Sequence, residues 1–352
     1  LANFRNWLDT KYDGDLEGLN TNWETDFASF SDVTIDIPIS PATRGTPRWY
    51  DWSRFNMDRG IDWFAHLQRE LHRTNPDADT HIKIMPRMWT ENFRSHGIDY
   101  EALTQLTTMI GDDSAAVAGT DLISNKPAPW ESHYAYFWEE TALAYDFMQS
   151  VAPGQIHINS ETHFLSKSRW RDMDMSADYT RSIFWLATLH GMDAGISWFW
   201  ARDPDGSPED RLEGELNFFD PALAGSYAGS ANMQPHTVNE VAQVYMDMNS
   251  VSEEIYALRT QRRPLRLFYS ETSAINKNNH MTQLFETYES LYFEGLSLGF
   301  ATQKVLEQQN ADQWDAVLVH RTEYVTDDEF DALQGYLDNG GTVILADGES
   351  LS

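Results

Sequence analysis

A glutamate at the end of a β-strand can do glycosidic chemistry, and Glu161 has that setting: the strand-like run Gln155–Ser160 (QIHINS) leads directly into Glu161-Thr162-His163. In a parallel α/β barrel the reacting groups gather at the C-terminal strand ends. A carboxylate there can attack an anomeric carbon when a second carboxyl group stands about 5–5.5 Å away to protonate the departing oxygen. The same residue could equally be a solvated loop glutamate. Indoles would supply the binding surface, because their flat apolar faces match the C–H faces of sugar rings, and the chain carries 13 tryptophans. Trp198 and Trp200, two apart in Ala194–Trp200 (AGISWFW), point to one side of a strand. Trp170 stands in a loop between Arg169 and Arg171, downstream of Glu161. Trp89 follows the apolar run His81–Met88 (HIKIMPRM) with Glu91 and Asn92, and all three are expected at a barrel mouth, Glu91 as a fallback acid. Each indole could instead fill a core.

Weaker candidates read as structural. His133, Glu139 and Glu140 fall on a helix face. Asp203-Pro204-Asp205-Gly206, with Glu209 and Asp210 behind it, has part of a calcium-loop pattern without its spacing, so a solvated turn is expected. The absence of cysteine removes disulfides, thiolate nucleophiles and cysteine-ligated zinc together.

Positioning these groups falls to a regular alternation of elements. Phe4, Trp7 and Leu8 give the i, i+3, i+4 stripe of a helix over Leu1–Lys11, and Leu16–Trp23 forms another turn. Ser31–Ser53 reads as a loop, Asp58–His72 as a helix stopped by Asn75-Pro76, and His81–Met88 as a strand. Helices are then expected at Tyr100–Ile110, Tyr134–Ser150, Ala177–His190 and Val238–Ala257, with strands at Ala115–Gly119, Gln155–Ser160 and Ala194–Trp200. Strands alternating with helices imply βαβ units and a parallel sheet. Four such units fit the second half of a (β/α)₈ TIM barrel. Residue 1 is Leu within an amphipathic helix rather than a signal peptide, so the chain is expected to begin inside a domain. Arg259–Pro264 (RTQRRP) reads as a linker between a barrel domain over 1–258 and a smaller α/β unit over 265–352. That unit has expected strands at Arg266–Tyr269, Ala316–His320 and Thr342–Ala346 and helices at Met281–Leu296 and Asp327–Asp338.

The 352 residues carry 55 acidic and 25 basic side chains, a net charge of −30. That charge repels phosphate backbones and excludes nucleic-acid binding through a basic face. No apolar run approaches the roughly 18 residues a membrane helix needs. Only six residues are lysine, and an acid-rich, lysine-poor surface predicts a marine or halophilic source, or simply a soluble acidic protein.

The ordered segments resemble one family. FRNWLDTKYDGDLEGLNTNWETDFASF (Phe4–Phe30) resembles the stretch that follows the acid/base Asn-Glu in glycoside hydrolase family 42 β-galactosidases and related galactan hydrolases, some β-agarases among them. INSETHFLSKSRW (Ile158–Trp170) is similar to the family's nucleophile loop, and Ser176–Asp203, with His190-Gly191, to its next helix and strand. Residues from about 265 resemble its flavodoxin-like trimerisation domain. The resemblance implies Glu161 as nucleophile, Trp170 as a wall of the sugar subsite, an acid/base Glu upstream of Leu1, no cofactor, and a trimer. A chain of these residues without that acid is expected to be inactive. One departure concerns the sugar contacts: the family's Glu and His, three residues apart after the last strand, correspond to Glu209–Phe219 (EDRLEGELNFF), which has Glu213 and Glu215 but no His. The implied substrate is therefore a galactose-containing saccharide such as agar or carrageenan, ahead of lactose. A non-catalytic carbohydrate-binding barrel is the competing reading. A nucleotide-binding flavodoxin-like protein lacks its Gly-rich phosphate loop, since Tyr269-Ser270-Glu271-Thr272 follows the first strand of the second unit.

Overall fold

A computed structural model describes residues 1–114, 138–162, 177–197 and 235–351. They form two compact units, one of residues 1–80, 88–107 and 263–352, the other of 81–87 and 108–262. One boundary between the units falls at residues 262 and 263. The first eighty residues differ from expectation, because they cluster with the C-terminal segment and not with the strands around Glu161.

In the unit holding Glu161, strands β1 (Ile110–Asp112), β2 (His157–Thr162) and β3 (Ala194–Ser197) form a parallel sheet in that order. Ile110 pairs with His157, and Asn159 with Gly195, with a register shift between Asn159 and Thr162. Helix α1 (Trp138–Val151) buries Leu143, Tyr145, Phe147 and Met148 and packs against α2 (Ala177–His190), in which Ile183, Phe184 and Ala187 are buried. Helix α3 (Pro235–Ser250) also packs against α2, its Tyr245 ring 5.3 Å from that of Phe184, and buries Val244 and Met248. Asp146 meets His190 Nδ1 at 2.9 Å, tying α1 to the end of α2. His81–Met88 is not the expected strand. Ile84 makes an isolated parallel bridge to Asp112, and a short helix begins at Pro86, whose fixed φ suits a first helical turn. The expected strand Ala115–Gly119 lies outside the described residues, and the sheet instead uses Ile110–Asp112.

The other unit carries a four-stranded parallel sheet, β4 (Leu265–Phe268), β5 (Leu298–Ala301), β6 (Ala316–Val319) and β7 (Val343–Leu345), in the order β5-β4-β6-β7. Its central strands are apolar nearly throughout, as strands covered on both faces must be. Helix α4 (Pro47–Thr74) belongs here and starts eleven residues before the expected Asp58, inside the stretch read as a loop. Phe55 joins Phe4, Leu8, Leu19, Trp23 and Val33 in one core cluster, while Trp49 and Met57 join Ile39 and Ile275 in another. Tyr12 and Trp23 both donate to the buried Asp51, at 2.9 and 2.8 Å, and Lys11 pairs with the same carboxylate.

Candidate active site

Glu161 stands in the last residues of β2, and its surroundings are built from neighbouring strand ends. Its backbone N–H donates to Asn159 Oδ1 at 3.0 Å, and Asn159 in turn donates to the Ser114 carbonyl and the Tyr145 hydroxyl at 3.1 and 3.0 Å. Asn159 is buried, so this triangle fixes the irregular turn of chain at which β2 shifts register. Gly195 permits it: a Cβ there would lie 2.5 Å from Thr162 Oγ1. Beneath, His157 Nε2 meets Asp112 at 2.9 Å with both side chains fully buried, and the imidazole packs on Tyr145 at 4.2 Å between ring centres.

The Glu161 carboxylate pairs with Lys83, whose ammonium also lies 3.3 Å from the Asp113 carboxylate. Lys83 reaches it from the chain alongside β1, where Gly111 allows close approach: a Cβ at that position would lie 2.6 Å from the Ile82 carbonyl oxygen. The hydrogen bond to Glu161, with Asp113 beside it, holds the ammonium above its ordinary range. Glu161 keeps 18% of its side chain exposed and Lys83 keeps 43%. The arrangement presents a carboxylate at a strand end with a fixed backbone, a cation against it and a second carboxylate at that cation. A nucleophilic carboxylate needs such anchoring, since it must hold one geometry while its charge is transferred to a new bond.

Of the other expected site residues, Trp170, Trp198, Trp200 and Glu213 lie outside the described residues, as do His133 and Asp203–Asp210. Trp89 is corrected. It is 2% exposed, stacks on Tyr100 at 5.1 Å and 9° between planes, and meets the Tyr269 ring edge-on at 5.4 Å. An indole buried to that degree offers no face to a sugar. Asn92 is likewise buried and donates to the Lys277 carbonyl, while Glu91 is half-buried. Glu140 is buried. Lys83 went unnoticed in the sequence. The available signal was a rare lysine inside an apolar alternation, His81-Ile82-Lys83-Ile84.

The chain shares this architecture with known proteins. It is similar to the crystal structure of an exo-carrageenase of glycoside hydrolase family 42 from Bacteroides ovatus, with 41% identity and a TM-score of 0.87 over 99% of this chain and 45% of that one. A β-galactosidase from the Antarctic haloarchaeon Halorubrum lacusprofundi, 17% identical, superposes with a TM-score of 0.71 over 97% of this chain and 49% of that one. In sequence, β-galactosidase GalA of Bacillus licheniformis is 22% identical over 97% of this chain and 49% of its own length. The chain thus spans about half the length of these relatives. The family model of glycoside hydrolase family 42, described as β-galactosidase, matches residues 1–217. With well over half of its residues covered by that match, the chain belongs to glycoside hydrolase family 42.

Proposed function

We propose that this chain is the nucleophile-bearing part of a retaining hydrolase of β-galactosidic bonds, with Glu161 as the nucleophile. The carrying observation is the anchored carboxylate at the end of β2, held against Lys83. One Glu161 oxygen attacks the anomeric carbon as the bond from that carbon to the leaving oxygen breaks, and a carboxylic acid protonates that oxygen. The resulting carboxylate then takes a proton from water, whose oxygen displaces Glu161 and restores its charge. In retaining enzymes the two carboxyl groups stand about 5–5.5 Å apart. In this reading the acid is a second carboxyl group of the full-length protein. The likeness to the Bacteroides exo-carrageenase supports a galactan of the carrageenan type over agar or lactose. In this reading the three-stranded sheet is part of a (β/α)₈ barrel. The order β5-β4-β6-β7, which is 2-1-3-4 counted within that unit, supports a flavodoxin-like reading of residues 265–352.

The test is hydrolysis of an aryl β-galactoside, carrageenan and agarose by the full-length protein and its Glu161→Gln variant. Loss of activity by more than about 10³-fold with the fold intact is expected, since a group that forms the covalent bond has no substitute. Activity surviving the substitution would remove Glu161 from the reaction. A folded wild type that binds these saccharides without cleaving them would make the barrel a carbohydrate-binding module.

A further inference from the structure

We infer that Lys83 is the specificity-determining cation of the Glu161 site, its ammonium receiving a sulfate ester carried by the galactose unit bound against Glu161. The inference rests on the β-galactoside reading and names the substrate class within it. A chain with a net charge of −30 repels a polyanionic saccharide, so a sulfated substrate needs a local positive group where its sugar docks. Lysine is scarce, yet one of the six touches the strand-end glutamate. Glu161 and Asp113 take two of the three hydrogens an ammonium can donate, and the Lys83 side chain is 43% exposed. Lysine presents a compact point charge that accommodates a tetrahedral anion without demanding the planar match of a guanidinium.

The charge balance favours such a partner most at the covalent stage. Once Glu161 has become an ester its negative charge is gone, and the ammonium is left with Asp113 alone of its two carboxylates. A sulfate on the bound sugar restores the second anion. A neutral galactoside leaves that place to water. Lys83 therefore both orients the nucleophile and rewards a sulfated ring, and only the second role separates substrates.

The experiment compares kcat and KM of the full-length protein and its Lys83→Met and Lys83→Arg variants on an aryl β-galactoside and its ring-sulfated counterpart. Loss of the nucleophile's partner lowers turnover of both. The preference for the sulfated substrate is expected to collapse by a further factor of about ten in Lys83→Met, the size of one charge-assisted hydrogen bond, mainly through KM, and to persist in Lys83→Arg. Equal losses on both substrates, or a wild type indifferent to sulfation, would overturn the inference while leaving the hydrolase reading standing. If neither substrate is cleaved, calorimetric binding of neutral and sulfated carrageenan-type oligosaccharides to wild type and Lys83→Met decides it. A sulfate preference lost in Lys83→Met upholds Lys83 even as the hydrolase reading fails, and no such preference overturns it.

Discussion

Charged side chains in this protein are seldom left to water when they matter. Asp51 collects Lys11, Tyr12 and Trp23, and Arg54 meets Asp99 at 3.0 Å. Glu101 is a different case. Burial pushes its carboxyl from 4.5 up to about 7, against the hydrogen bond it accepts from Thr302 Oγ1 at 2.7 Å. Because the folded carboxyl holds its proton to higher pH than the unfolded one, its contribution to stability is fully present below about pH 4.5 and is lost as pH rises through about 7. Thermal denaturation of wild type should therefore decline between about pH 5 and about pH 8 by several degrees more than that of Glu101→Gln. Parallel curves for the two proteins would show that Glu101 does not titrate in this window.

Secondary elements here are started by side chains as much as by packing. The helix over Asp327–Asp338 opens with a capping box: Glu329 N donates to Thr326 Oγ1 at 3.2 Å, and Thr326 N donates to Glu329 Oε2 at 2.8 Å. Asp327 and Asp328 add negative charge to the positive end of the helix dipole. Thr326→Ala should cost about 1 kcal/mol, read as a shifted urea midpoint with an unchanged slope, because it orphans one N–H and frees Glu329. An unaltered midpoint would show that tertiary packing alone holds that end. Helix α4 begins the same way, with Thr46 accepting from Trp49 N and Pro47 in the first turn. That start signal was present in the sequence, but the surrounding Pro- and Thr-rich stretch hid it.

The protein as a whole carries a repulsive charge that its fold must overcome. Self-repulsion of a net −30 weakens as salt shortens the Debye length from about 10 Å at 0.1 M to about 3 Å at 1 M. The melting temperature should rise over that range of sodium chloride. A flat or falling response would mean that paired charges, such as Arg321 with Glu286 and Arg181 with Asp247, already balance the surface. Among the described residues, no helix is long and apolar enough to cross a membrane.

How much of this was legible in the residues depends on how local the governing contacts are. The helices over Leu16–Trp23, Ala177–His190 and Asp327–Asp338 have the bounds their apolar spacing and caps announce, since a helix is specified by neighbours three and four apart. The strand end at Glu161 was legible for a similar reason, the alternation of His157-Ile158-Asn159 running into a carboxylate. Strand β5 (Leu298–Ala301), whose four residues include a glycine, was missed, whereas the equally short β4 and β6 were expected. Trp89 and Lys83 show where local pattern ends. Whether an indole meets a sugar or the rings of Tyr269 and Phe300, about two hundred positions away, is settled by packing between distant segments. Lys83 and Glu161 are likewise brought together where Gly111 lets the chain at Ile82 run close beside β1, a contact that no spacing along the chain encodes.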